Sequence, residues 1–324
     1  MLRRLACTAV LLGAALISPL PRATTHAASL TTVSIDLNWI KNVEFAGIWA
    51  AQAQGLWAQA GIKVNVDASN GTDPAVLVGA GKYQFGFDDG ASLIIARAST
   101  VPVKAIWASG ETSPFCFITM PKSGITTPKD FKGKVIGYQP WEEFVMDAML
   151  ASAGLTEKDV KPQVVNTGVK ELLDGKVDAY LAYSTNEPIE IAQQYHVNVN
   201  IIPAAKYGYN FYSDVLFTTD SLIKSNPALV QKVVSIIAQG WSYAIAHPDW
   251  IAGVVVPKLD NTDSVAQQAA EMRALAQLAN APGAPTGSMT AAKWQAGSAL
   301  LLKYKQIKTS VKAADMFTTQ FLPK

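Results

Sequence analysis

Tyr183-Ser184-Thr185-Asn186-Glu187-Pro188 places a carboxylate directly ahead of a proline, after an apolar run that ends in a ring. Two roles fit Glu187. It caps the helix that Pro188 opens, using the positive end of the helix dipole, or it accepts hydrogen bonds from ring and exocyclic N–H groups of a bound heterocycle. A charge-assisted acceptor of that second kind also rejects ligands that lack donors. The ends of other expected strands carry rings beside isolated polar groups. Trp39 follows the first strand, Tyr138-Gln139-Pro140-Trp141 follows a later one, and Tyr209, Phe211 and Tyr212 cluster further on. A planar ligand covering such rings stacks with each for about 0.5–1.5 kcal/mol, and the alternative is that each ring caps the edge of a core.

Signatures of catalysis are missing. There is no Walker A loop, no G-x-G-x-x-G, no G-x-S-x-G and no H-E-x-x-H. Ser221-Leu222-Ile223-Lys224 matches S-x-x-K without the S-D-N or K-T-G that would accompany it. The acid pairs Asp88-Asp89 and Glu142-Glu143 are adjacent in sequence, so their side chains diverge, and a charged pair at a loop is expected to be solvated. General acid–base work by them stays open.

Alternation and caps set out the elements that must position these groups. Thr32–Leu37 reads as a strand, Gly47–Gln52 as a helix stopping at Gly55 or Gly61, and Ile62–Val66 as the next strand. Asp73-Pro74 supplies an N-cap and an N1 proline for a helix to Ala80. Strand Tyr83–Phe87, helix Ala91–Ala98 and strand Val103–Ala108 follow. A second alternation begins near residue 119. It runs from a capped turn at Thr127–Asp130 through strand Lys134–Tyr138, helix Glu143–Ala153, strand Gln163–Asn166, helix Val169–Leu173 and strand Val177–Leu181 to helix Ile189–Tyr195. Short connections in a β-α alternation predict largely parallel sheets, whose ligands sit beyond the carboxyl ends of the strands. From Asn226-Pro227 onward helices dominate. The first carries Val230, Val233, Val234, Ile237, Trp241 and Ile245 on one face, and Gly283–Gly287 is the one clear loop beyond it.

Composition narrows the partners. The 324 residues are 49% hydrophobic and 16% charged, with 27 Lys+Arg against 25 Asp+Glu. Such a chain buries enough surface to fold as one large or two medium domains. Residues 1–28 hold three arginines and no acid, so the remainder carries 24 basic and 25 acidic residues, a net charge of −1. A near-neutral body without a run of five basic residues argues against nucleic acid and against a polybasic membrane patch. The partner expected is a small molecule. Met1–Arg4 followed by an uncharged stretch from Leu5 to Leu20 and small residues around Thr25–Ser29 reads as a secretory signal, cut after Ala27 or Ala28. Cys7 stands too early for a lipobox, so a free, unlipidated protein is expected, in a periplasm or secreted. Cleavage leaves Cys116, His196 and His247. No disulfide is then expected within the mature chain, no zinc or iron site, and no cofactor. Cys116, between Phe115 and Phe117, reads as a buried inert thiol.

The ordered set Leu37-Asn38-Trp39, Phe45-Ala46-Gly47, Gly55, Asp130–Gly137, Gly175–Ala179, Asn186-Glu187-Pro188 and Asn226-Pro227 through Gly240-Trp241 to Pro248 resembles the solute-binding proteins of ABC importers in the thiamine-pyrimidine-precursor, sulfonate and nitrate group. The resemblance covers nearly the whole mature chain. It implies an α/β, type II periplasmic-binding-protein fold, with two lobes joined by two crossovers, near Thr119 and Asp214, closing on one small molecule. Lobe I is then 29–118 plus 215–324 and lobe II is 119–214. Within the group, proteins that bind or make the thiamine pyrimidine show Asp-Trp and a histidine ahead of Ala-Gly. Here Asn38-Trp39 and Phe45 stand at those positions, the cysteine cluster of the fungal pyrimidine synthases is lacking, and the pattern looks more like riboflavin-type or other aromatic-heterocycle binders. The resemblance implies no catalysis, a monomer, and an inner-membrane ABC permease as partner. It implies Trp39, Phe45, Trp141 and Tyr183 as walls for the ligand, Asn186 and Glu187 as its hydrogen-bonding groups, and Asp88 and Tyr212 on the opposite rim. The other readings are a sulfonate, taurine or nitrate binder, an enzyme on the same fold (a pyrimidine synthase or a lyase), and a periplasmic sensor or scaffold. Sulfonate and nitrate would call for an arginine or lysine, of which the strand ends are short.

Overall fold

The computed structural model describes residues 30–166, 168–255, 257, 263–279 and 285–323. The leader expected at 1–28, and Gly283 and Ala284 of the C-terminal loop, lie outside the described residues. Ten strands run through the chain in order: β1 Thr31–Asp36, β2 Ile62–Asp67, β3 Phe85–Asp88, β4 Val103–Gly110, β5 Phe115–Thr119, β6 Val135–Tyr138, β7 Lys161–Val164, β8 Ala179–Tyr183, β9 Asn200–Pro203 and β10 Ser213–Thr219. They form two five-stranded sheets, ordered β2-β1-β3-β10-β4 and β7-β6-β8-β5-β9. In the first, β1 is parallel to β2 and β3, and β10 runs antiparallel between β3 and β4. In the second, β6 is parallel to β7 and β8, and β5 runs antiparallel between β8 and β9. The two-sheet α/β architecture expected from the alternation is present. Each sheet accepts one strand of opposite direction next to the place where the chain changes sheets.

The passage between sheets is at Glu111–Pro114, earlier than the expected Thr119. Phe115–Thr119 is a wholly buried strand paired on both sides in the second sheet. An unbroken apolar run such as Phe-Cys-Phe-Ile-Thr carries no period-2 signal, which is why its strand character was not legible. β10 begins at Ser213, one residue before the expected return at Asp214, and was missed for the same reason. Two other strands sit two residues beyond their expected starts. β8 starts at Ala179 because Asp178 is used as a clasp, its side chain accepting from the Val135 N–H at 2.8 Å. β3 starts at Phe85 because the Gln84 side chain pairs with the Ser34 N–H. Both shifts carry Tyr183 and Asp88 to the carboxyl ends of their strands.

Helix starts follow their caps. Asp73 accepts from the Ala75 N–H ahead of helix Pro74–Gly79, and Asp89 accepts from Ala91 and Ser92 ahead of helix Gly90–Ala98. Asn226 and Pro227 open the 20-residue helix Pro227–Ala246. Its apolar face packs on helix Ala46–Ala53 at van der Waals contact of the backbones. A Cβ on Gly47 would stand 2.8 Å from the Ile237 carbonyl oxygen, and one on Gly240 would collide with the carbonyl of Gly47. These helices and Ile35, Phe87 and Trp107 form one core on one face of the first sheet. A second core runs without a break from the other face of that sheet through Phe115, Tyr209 and Phe211 into the second sheet. Helices Pro248–Val255, Val265–Leu278 and Ala291–Lys303 complete the first half. No helix among the described residues is long and apolar enough to cross a membrane.

Candidate ligand-binding cleft

Where the carboxyl ends of the parallel strands of the two sheets face one another there is a cavity of about 560 Å³, within the usual range for small-ligand sites. From the first sheet, β1 leads to Asn38, Trp39 and Asn42, and β3 to Asp88 and Asp89. From the second, β6 leads to Gln139, Trp141 and Glu142, and β8 to Tyr183, Thr185, Asn186 and Glu187. β10 adds Asp214, the turn after β1 adds Glu44, and helix Val265–Leu278 adds Glu271.

Each wall is fixed by local hydrogen bonds. Glu142 reaches back to the Gln139 N–H at 3.0 Å, closing the turn that carries Trp141. Glu187 accepts from the Tyr183 N–H at 2.8 Å, so it fastens the loop that it also lines. The two roles read for it from sequence, tying the chain and facing a ligand, coexist in one carboxyl group. Tyr183 is held edge-on to Phe115 with ring centroids 4.6 Å apart. Glu271 accepts from Gln267 at 3.1 Å and from Gln268 at 2.9 Å, and Gln268 in turn accepts from the Val43 N–H at 3.0 Å. Gln194, on helix Glu187–Gln194 of the second half, donates to Gln267 at 3.3 Å and joins this amide chain across the cleft. Asp214 is held by Ser213 at 2.8 Å and Ser109 at 3.3 Å.

Six of the eight residues expected at the site line this cavity: Trp39, Asp88, Trp141, Tyr183, Asn186 and Glu187. Trp141 is 59% exposed and stands on the rim. The other two do not line it. Phe45 is buried in the core, edge-on to Phe87 at 5.5 Å, because its short turn points it down against the sheet. Tyr212 is buried behind the cleft, where its hydroxyl accepts from the Thr290 N–H at 2.7 Å and its carbonyl accepts from Gly90. The expectation that the paired acids are solvated holds for Glu143, which is exposed, and fails for Asp88 and Glu142, which are buried. Adjacent side chains diverge at Glu142-Glu143, where Glu142 alone turns into the cleft, whereas Asp88 and Asp89 both line it. Glu44, Asp214 and Glu271 were not legible as site residues. Asp214 lies in β10 and Glu271 on helix Val265–Leu278, both outside the strand-to-helix loops, while Glu44 sits in a short turn ahead of helix Ala46–Ala53.

Among the described residues the lining has eight carboxyl groups and no lysine, arginine or histidine. Burial, which penalises the charged form, pushes Glu142 and Glu271 up to about 8 and Glu187 to about 7. Asp88 is raised well above the carboxylate range, first by burial and then by Asp89. Glu44 is raised well above the carboxylate range, first by burial and then by the neighbouring Asp214. Oε1 of Glu44, Oε1 of Gln139 and Oδ1 of Asn38 are buried without a hydrogen-bond partner. All three are acceptors. Cys116 is buried, and its thiol is raised by that burial. Among the described residues no cluster of three His, Cys, Asp or Glu side chains is placed to hold a metal ion.

Two α/β halves, joined by a double passage of the chain and facing each other across a cavity of ligand size, define the periplasmic-binding-protein class of fold. The aliphatic sulphonate-binding protein of Escherichia coli superposes with a TM-score of 0.69 over 91% of this chain and 95% of its own, at 14% identity. The profile of the NMT1/THI5-like family matches residues 42–251, and the chain belongs to that family. Among its relatives, a riboflavin-binding protein of Chloroflexus aurantiacus is 29% identical over 68% of this chain, a match spanning 64% of the relative, less than two thirds of its length. A formylaminopyrimidine-binding protein of Halalkalibacterium halodurans is 22% identical over 90% of this chain and 91% of its own. Two further relatives, at 24% and 23% identity, are named 4-amino-5-hydroxymethyl-2-methylpyrimidine phosphate synthase, from Uromyces fabae and Legionella pneumophila.

Proposed function

We propose that this chain is the solute-binding component of an ABC importer and takes a planar heterocycle rich in hydrogen-bond donors, such as riboflavin or a thiamine pyrimidine precursor. The observation that carries the reading is the pairing of rings with unsatisfied acceptors: Trp39, Trp141 and Tyr183 stand beside Oδ1 of Asn38 and Oε1 of Gln139 in one cavity. Rings supply stacking area, and buried acceptors without partners favour a ligand whose N–H and O–H groups complete them. Names among the relatives support the same ligand class. A sulfonate or nitrate would meet eight carboxyl groups and no cation, so the anion alternative has no support in the lining. Binding without turnover is part of the proposal, as are a periplasmic address, delivery to an inner-membrane permease and a monomeric chain. The two lobes are assigned here as 30–110 with 213–323, and 115–203, with closure over the ligand creating the surface the permease reads.

The test is the fluorescence of the refolded, ligand-stripped protein titrated with riboflavin and with formylaminopyrimidine. Saturable quenching is expected, and Trp141→Ala should weaken binding roughly 2- to 10-fold, the equivalent of one stacking contact. Unchanged affinity in Trp141→Ala would remove that ring from the site.

A further inference from the structure

We propose that the molecule taken by this cleft is an organic cation, its positive charge seated between Glu187 of one wall and Glu271 of the other. The inference rests on the heterocycle reading above and narrows it by charge, favouring a basic aminopyrimidine over riboflavin, whose ring system is neutral. It starts from an imbalance. None of the eight carboxyl groups of the lining is in an ion pair; those among the described residues involve Asp174, Asp220 and Asp249. What the protein provides instead are neutral donors. Asp73 and Asp89 cap helices, Glu142 and Glu187 accept one backbone N–H each, and Glu271 accepts two amides.

Neutral donors orient a carboxylate but leave its charge uncompensated, and a desolvated charge without a counter-charge is strongly disfavoured. Glu271 is pushed up first by burial, then by Asp263 and, more weakly, by Glu187, so the two walls repel each other whenever both groups are ionised. The cleft therefore either holds protons or holds a cation. Polar atoms left over point to the same ligand. Glu44 and Gln139 are more than nine-tenths buried, and each leaves Oε1 unpartnered. Both atoms are acceptors, which suits protonated ring nitrogens and amino groups. Among the described residues no cluster of three ligating side chains is placed to hold a metal ion, whereas carboxyl groups stand on both walls. The positive charge must be spread over a larger body that touches carboxyl groups on both walls, as in a protonated or quaternary amino-heterocycle.

The test uses two probes of one shape, 4-amino-1-methylpyridinium and 4-methylaniline, which differ in a single positive charge. Each is titrated calorimetrically into the stripped protein. The cation is expected to bind at least ~10-fold more tightly, about 1.4 kcal/mol. Glu187→Gln and Glu271→Gln, each isosteric and each checked for folding by circular dichroism, should lower the cation's affinity and leave that of the neutral probe unchanged or raised. Absence of a preference for the cation, including failure of the cation to bind, overturns the inference. If riboflavin or formylaminopyrimidine binds in that case, the heterocycle reading stands alone; if they too are silent, both fall.

Discussion

Glu142, Glu187 and Glu271 are buried in one cleft, and their proton affinity follows from that burial. Their values near 8, 7 and 8 lie above the ordinary range of an unfolded glutamate, near 4.3. The folded state therefore binds protons that the unfolded state has released. Stability from these groups is full below about pH 4, declines as pH rises, and is lost once pH passes 8. Each proton held by the folded state alone steepens the decline by about 1.4 kcal/mol per pH unit. Lys293, lowered by burial to about 8, acts in the opposite direction only above that pH. The thermal midpoint of the ligand-free protein is expected to fall between pH 5 and pH 8, with a shallower slope in Glu142→Gln and Glu271→Gln; a midpoint rising over that window would contradict the assignment. Part of this was legible from sequence, because Glu187 precedes a proline at a strand end and Trp39 and Trp141 follow strands. Glu44, Asp214 and Glu271 were not, since nothing local marks a carboxyl group that reaches a cleft from a turn, an unalternating strand or a distant helix. Phe45 shows the converse error: a ring next to a site motif was directed inward by a single turn of 3-10 helix.

Elements of this chain announced themselves wherever a cap or an alternation was present. Asp73-Pro74, Asn226-Pro227 and Thr127–Asp130 all start helices or turns where expected, because side-chain acceptors and N1 prolines act within a few residues. β5 and β10 were illegible because buried strands in a mixed sheet have no polar face to alternate with. Gly240 illustrates a position whose meaning is tertiary. In an isolated helix, replacing it with alanine gains about 1 kcal/mol of propensity. Here the added Cβ meets the Gly47 carbonyl across the interface with helix Ala46–Ala53, and overpacking of that kind costs about 1–3 kcal/mol. Steric conflict wins, and Gly240→Ala should lower the thermal midpoint by a few degrees. A raised midpoint would mean that the two helices separate at no cost.

At the scale of the whole molecule, two sheets built on one plan place the carboxyl ends of their parallel strands against each other, and the chain passes twice between them. That geometry makes the cleft a joint product of both halves, with Trp39, Asp88 and Glu271 on one side and Trp141, Tyr183 and Glu187 on the other. The Gln194–Gln267 bond is a direct polar link between facing helices, and a ligand that engages both walls would add to it. The alternation and the cleft were foreseeable from sequence; the sign of the cleft was not, because it depends on Asp88, Asp89 and Glu142 turning inward and on Glu44, Asp214 and Glu271 reaching it from other elements. The most direct test is a thermal-unfolding comparison of the refolded, ligand-stripped protein with riboflavin, formylaminopyrimidine, taurine and nitrate. At about 100 times its dissociation constant a ligand adds about 2.7 kcal/mol, several degrees for a chain of this size. Stabilisation by riboflavin or formylaminopyrimidine and none by taurine or nitrate is the predicted result; stabilisation by taurine or nitrate alone would contradict an acidic, donor-seeking site.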